Sequence, residues 1–133
     1  KKAKKAAEEI KSKPKIMMVT ILTSLNDDNL KTIGNNNTVA NQVKNLAKVA
    51  KEMNLGIVCS GQEAKIVRNI LGPNLLIFTP GIRMSSENNN DQQRVCTPKE
   101  SIGNGSDKII MGRSLINGNI EVNLNKVANS IKK

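Results

Sequence analysis

Ile16-Met17-Met18-Val19-Thr20-Ile21-Leu22 is a run of seven residues with one hydroxyl and no charge. Near-continuous apolar character over that length predicts a strand buried on both faces, since a half-exposed strand alternates. Pro14 stands just ahead of the run, and a polar connection, Asn26 to Asn37, follows it. Shorter runs recur downstream at Leu55 to Cys59, Leu75 to Thr79 and Lys108 to Met111. Each is short enough to be a strand and too short to be a buried helix.

Between the runs the apolar spacing turns helical. Val39, Val43, Leu46, Ala47, Ala50 and Met53 fall on one face, behind Thr38 as N-cap. Ser60, with Glu63 three residues on, predicts a capping box for a helix that runs to Leu71 and stops at Gly72-Pro73. Thr97-Pro98-Lys99-Glu100 opens another by three rules together: Thr at the cap, Pro at N1, Glu at N3. Ile120, Leu124, Val127 and Ile131 line one face of a last helix. The Lys- and Ala-rich stretch Lys1 to Lys13 predicts a first helix ended by Pro14, and Asp27 to Ile33 one further helical turn.

A helix followed by four βα units, in one partial domain over residues 1–133, implies an α/β fold with a parallel sheet and right-handed crossovers. Two architectures satisfy the pattern: an open doubly wound sheet, or four of the eight units of a (β/α)8 barrel. No Gly-x-Gly-x-x-Gly follows the first strand, which weakens the dinucleotide-binding option. At 133 residues the chain is about half the ~250 of a complete barrel.

Composition removes several function classes. With no His there is no His-dependent triad and no His metal site, and Cys59 and Cys96 have no metal-ligand spacing. Cys59, inside an apolar run, reads as a small buried hydrophobe. The net charge of +10 invites a nucleic-acid reading, but the excess is Lys concentrated at the two ends, and one aromatic residue leaves nothing for bases to stack on. No apolar run reaches the ~18 residues of a membrane helix, and no signal peptide opens the chain. The expectation is a reduced, cytoplasmic protein that engages neither membrane nor nucleic acid.

Ligands of parallel sheets lie beyond the C-terminal strand ends. Those ends read Thr23-Ser24, Cys59-Ser60, Pro80-Gly81-Ile82-Arg83 and Gly112-Arg113. Hydroxyls, glycine backbone and guanidinium groups suit a phosphorylated small molecule. The chain has 17 Lys and 4 Arg, yet Arg83, Arg94 and Arg113 all fall in one stretch. Arg presents a planar fork of donors to phosphate oxygens, which Lys cannot copy. Gly112 would let a backbone N–H approach an anion closely. Surface arginines and a turn glycine account for the same composition equally well. The long connection Pro80 to Val95 is of a length that marks either a functional lid or a disordered insertion.

Taken in order, Val19-Thr20-Ile21-Leu22-Thr23-Ser24-Leu25, Ile57-Val58-Cys59-Ser60-Gly61-Gln62-Glu63-Ala64, Thr79-Pro80-Gly81-Ile82-Arg83 with Asp91-Gln92-Gln93-Arg94, and Ile109-Ile110-Met111-Gly112-Arg113 resemble successive signatures of the orotidine 5′-phosphate decarboxylase family. The resemblance covers essentially the whole chain. It implies the C-terminal half of a (β/α)8 barrel, four parallel strands alternating with helices. It implies a cofactor-free lyase that converts orotidine 5′-monophosphate to uridine 5′-monophosphate and CO2. It places Thr23 at the nucleotide and Ser24 near the pyrimidine edge. Arg83, Gln92, Gly112 and Arg113 fall at the substrate, with Arg113 and the Gly112 backbone on the phosphate. Gln92 would belong to the loop that closes over phosphate and base, where remote binding energy organises the reacting end.

The family's alternating Lys and Asp array, of the form Asp-x-Lys-x-x-Asp, has no counterpart in this sequence. The resemblance therefore implies no catalytic residue in the chain. Its expected partners are the missing N-terminal half-barrel or a second copy. A non-catalytic phosphate-binding remnant is the alternative. Asn90 stands where Gly usually precedes Asp-Gln, Ser114 where Pro often follows Gly-Arg, and the second strand starts one residue short at Leu55-Gly56.

Overall fold

A computed structural model describes residues 1–84 and 93–132. Four strands, β1 (Met17–Val19), β2 (Gly56–Val58), β3 (Ile77–Thr79) and β4 (Lys108–Ile109), form one sheet in the order β1-β2-β3-β4. Every pairing is parallel. Helices α1 (Lys2–Glu9), α2 (Asp27–Thr32), α3 (Val39–Glu52), α4 (Ala64–Leu71), α5 (Pro98–Gly103), α6 (Arg113–Ile116) and α7 (Ile120–Ile131) alternate with them.

The caps explain where the helices start. Thr38 Oγ1 accepts from Asn41 N–H ahead of α3. The capping box at α5 is complete, with Thr97 and Glu100 each accepting from the other's backbone and Pro98 in the first turn. At α4 the expected box is half made. Glu63 Oε2 accepts from Ser60 N–H at 3.1 Å, while Ser60 Oγ turns to Gln62 N–H, so regular helix begins only at Ala64. The first helix stops earlier than Pro14 would dictate: Ile10 is already extended and Lys13 adopts φ 44°. The one-turn helix α6 lies in a stretch where the sequence carried no helical spacing.

Successive side chains along each strand alternate between faces, and residues in register on neighbouring strands share one. Met18, Ile57 and Ile77 share one face through the register, and Ile57 and Ile77 are fully buried there. They pack with Val43, Ala47 and Ala50 of α3 and Ala64, Val67 and Leu71 of α4 in a single apolar core. The opposite face carries Val19, Val58, Phe78 and Lys108 in one row. Val19 is 55% exposed and Ile110, just beyond β4, 46%. The first strand is thus covered on one face, not two as its apolar run predicts, because no element of the described chain lies against that row. Gly56 sits on this face beside Met17, whose sulfur occupies the space a Cβ would need.

At the N-terminal end of the sheet, Arg68 acts as a tie. Its guanidinium donates to Gly72 O, Leu75 O and Gly105 O and pairs with Asp107 at 2.6 Å, while Asp107 also accepts from Ile77 N–H. Buried hydroxyls of Thr79, Ser101 and Ser106 bridge β3 to α5 and β4 within 2.8 Å. The last helix packs on α5 and α6 but buries none of its residues, and Ile120 and Leu124 remain about half exposed.

Candidate functional site

The C-terminal strand ends surround an open cleft of about 340 Å³. Thr23, Ser24, Arg83, Gly112 and Arg113 all line it. Val19, Val58 and Ile110 form its floor, so the cleft opens onto the uncovered face of the sheet. A second cavity of about 300 Å³ lies at the opposite end, among Lys4, Glu8, Lys13 and the strand starts. In parallel sheets that end serves stability and the C-terminal end serves ligands, so the first cleft is the candidate site.

Each residue is held there for a local reason. Thr23 is buried on the turn after β1, and its carbonyl accepts from Gln93 N–H at 3.1 Å and Arg94 N–H at 3.2 Å. The far end of the 80–95 connection is thereby fastened to the first strand's tip. Gly81 adopts φ +73°, and a Cβ there would stand 3.2 Å from both Arg94 O and the Thr23 methyl. Only glycine meets both demands without strain. Beyond it, Ile82 pairs with Cys96 in a parallel bridge, with Arg83 N–H donating to Cys96 O and Cys96 N–H to Gly81 O.

Arg83 is 8% exposed. Its Nη1 donates to Ile82 O at 2.9 Å, and its Nε, also buried, has no hydrogen-bond partner among the described residues. A buried donor left unmade costs roughly 1–3 kcal/mol, which an anion entering the cleft would offset. Gly112 N-caps α6, and a Cβ built on it meets no described atom within 4 Å. The packing of the described chain therefore does not require glycine there. Arg113 is exposed at the first position of α6. Gln92 lies outside the described residues.

Arg94 corrects the sequence reading that grouped three arginines as phosphate donors. It faces away from any ligand role. Its Nη1 pairs with Glu63 Oε1 at 2.6 Å, and its other nitrogens donate to the carbonyls of Ile21, Leu22 and Leu25. Glu63, taken only as a helix cap, has a second carboxylate oxygen that serves this pair. Cys59 lines the cleft while also packing in the core. Burial, and then the nearby Glu63 carboxylate, push its thiol up to about 12, so it stays protonated at neutral pH.

Four parallel strands alternating with helices, with a basic cleft at their C-terminal ends, define half of a (β/α)8 barrel whose site suits an anionic ligand. The comparisons with known proteins make this specific. The family described as Orotidine 5′-phosphate decarboxylase / HUMPS matches residues 1–123, and this chain belongs to it. An orotidine 5′-phosphate decarboxylase of Saccharophagus degradans is 42% identical over 112 residues, 84% of this chain and 47% of the relative. One from Coxiella burnetii is 44% identical over 107 residues, 80% of this chain and 45% of the relative. Among solved structures, the enzyme from Lactobacillus acidophilus superposes with a TM-score of 0.71 at 31% identity, covering 90% of this chain and 50% of that one. The Pyrococcus horikoshii enzyme, at 20% identity and TM-score 0.66, shares the fold. The chain spans about half the length of the curated relatives it matches.

Proposed function

We propose that this chain is the C-terminal, nucleotide-binding half of an orotidine 5′-phosphate decarboxylase barrel, its strands five to eight. The observation that carries the reading is that Thr23, Arg83, Gly112 and Arg113, spread over most of the sequence, line one cleft at the strand tips. In the proposed complex Arg113 and the Gly112 N–H hold the 5′-phosphate of orotidine or uridine monophosphate. Arg83 adds a second positive charge for the anion, Gln92 belongs to the loop that closes over phosphate and base, and Thr23 and Ser24 meet the nucleoside. Charge-assisted bonds of this kind are about twice as strong as neutral ones.

The Lys and Asp array that acts on the substrate carboxylate is assigned to polypeptide outside these residues. Preorganised charge at the reacting group is usually the largest catalytic contribution, so the 133-residue chain binds nucleotide without decarboxylating it. Its protein partner is an N-terminal half-barrel, docked on the uncovered face where Val19 and Ile110 stand exposed. The setting is the cytoplasm, with no cofactor, membrane or nucleic acid involved. Among the described residues no helix is long and apolar enough to cross a membrane. The test is turnover of orotidine monophosphate by the chain with and without a supplied N-terminal half. Turnover appears only in the mixture; turnover by the chain alone refutes the division of labour.

A further inference from the structure

Arg94 and Glu63 form a buried ion pair at 2.6 Å, their side chains 11% and 10% exposed. Four bonds leave the guanidinium: one to Glu63 and three to carbonyls of the turn that carries Thr23 and Ser24. The backbone adds to them. Arg94 N–H donates to Thr23 O, and Ser60 Oγ donates to Arg94 O at 3.3 Å. Gln62 Nε2 reaches Val95 O at 2.9 Å. One residue thus ties together the tip of β1, the start of α4 and the return of the β3–α5 connection. Breaking such a pair leaves an uncompensated buried charge, so the arrangement is held tightly once formed.

We infer that Arg94 is a positioning residue: braced by Glu63, it fixes the Thr23–Ser24 turn at one distance from Arg83 and Arg113, so that the nucleoside and the phosphate of one ligand are met together. The inference rests on the nucleotide reading of the cleft. It separates two kinds of arginine: Arg83 and Arg113 set whether an anion binds, and Arg94 sets whether the rest of the nucleotide is recognised with it. Lys keeps the charge at this position but cannot span Glu63 and three carbonyls, because it lacks the planar fork.

The experiment compares wild-type chain with Arg94→Lys and Glu63→Gln, using inorganic phosphate and uridine 5′-monophosphate as separate calorimetric probes. In Arg94→Lys the expected result is phosphate affinity within about twofold of wild type and nucleotide affinity about tenfold weaker. Glu63→Gln shows the same pattern to a smaller degree and carries the test if the lysine variant fails to fold. Hydrogen exchange gives a readout without ligand. The Gln93 and Arg94 amides lose protection in the variants while the Ile57 and Cys59 amides keep theirs. Equal loss of both affinities, no loss of either, or uniform loss of protection overturns the inference. If wild-type chain binds neither probe, the nucleotide reading itself falls; if it binds both and the variants weaken both alike, only the role of Arg94 falls.

Discussion

The two faces of the sheet carry similar apolar residues and meet opposite fates. On one face Ile57 and Ile77 are fully buried beneath α3 and α4. On the other, Val19 and Ile110 are about half exposed and Lys108 shares their row. Hydrophobic character alone does not determine burial; it records a demand that some neighbour must meet. The covered face supplies the stability of the described chain. The uncovered face supplies the floor of the cleft, and among the described residues β1 and β4 stand at the two edges of the sheet; in the proposed assembly a second polypeptide covers this surface.

The largest effect expected from this contrast is on the covered face. Ile77→Ala removes a fully buried side chain and should lower unfolding free energy by about 3 kcal/mol in urea titrations. Val19→Ala on the open face should cost well under half of that. Equal costs would mean that the open face is covered in solution.

The cleft side is sharpened by Arg113→Ala. Loss of its charge-assisted bonds should weaken uridine 5′-monophosphate binding by about 2 kcal/mol, roughly 30-fold, with little change in stability. Unchanged binding would detach the cleft from the phosphate role proposed for it.

A smaller effect concerns association. Placing charge on the open face, as Val19→Lys with Ile110→Lys, should weaken self-association or pairing with a supplied half-barrel by about tenfold or more in sedimentation velocity. The same substitutions should leave the core, and hence the denaturation midpoint, nearly untouched. A variant that associates as wild type would show that partners meet elsewhere.

The smallest effect lies at a helix start on the covered side. Thr97 Oγ1 and N–H both donate to Glu100, holding its carboxyl below the usual glutamate range. A depressed carboxyl contributes stability that is present above its unfolded value near 4.5 and is lost as pH falls through the lower folded value. Thr97→Ala should therefore cost about 1 kcal/mol at neutral pH, and less once the buffer is acid enough to protonate Glu100. Thermal midpoints of both proteins against pH test this, and a cost independent of pH would remove Glu100 from the account.

Much of this was legible in the sequence. The succession of strands and helices and the caps at Thr38 and Thr97 come from local chemistry, which a single chain carries in full; the order of the strands within the sheet does not, since the same succession fits an open doubly wound sheet or half a barrel. The strands themselves proved shorter than their apolar runs. Of Ile16 to Leu22 only Met17–Val19 forms regular strand, with Ile16 O and Thr20 N–H making the last backbone bonds to β2, since a ladder extends only as far as a neighbour runs alongside. Arg94 escaped the sequence reading for a related reason. Spacing placed it with Arg83 and Arg113, and nothing local distinguishes a guanidinium that meets a ligand from one that meets Glu63 thirty-one positions away.

By itself, then, the order of residues determined the alternation of strands and helices and the kinds of side chain that arrive at the strand tips, because periodicity, capping and glycine geometry act over a few residues. Which of those side chains face a shared cleft, which are spent on internal ion pairs, and which apolar row is left uncovered were decided only when distant segments met. Burial and pairing are properties of neighbours in space, and the sequence names the candidates without choosing among them.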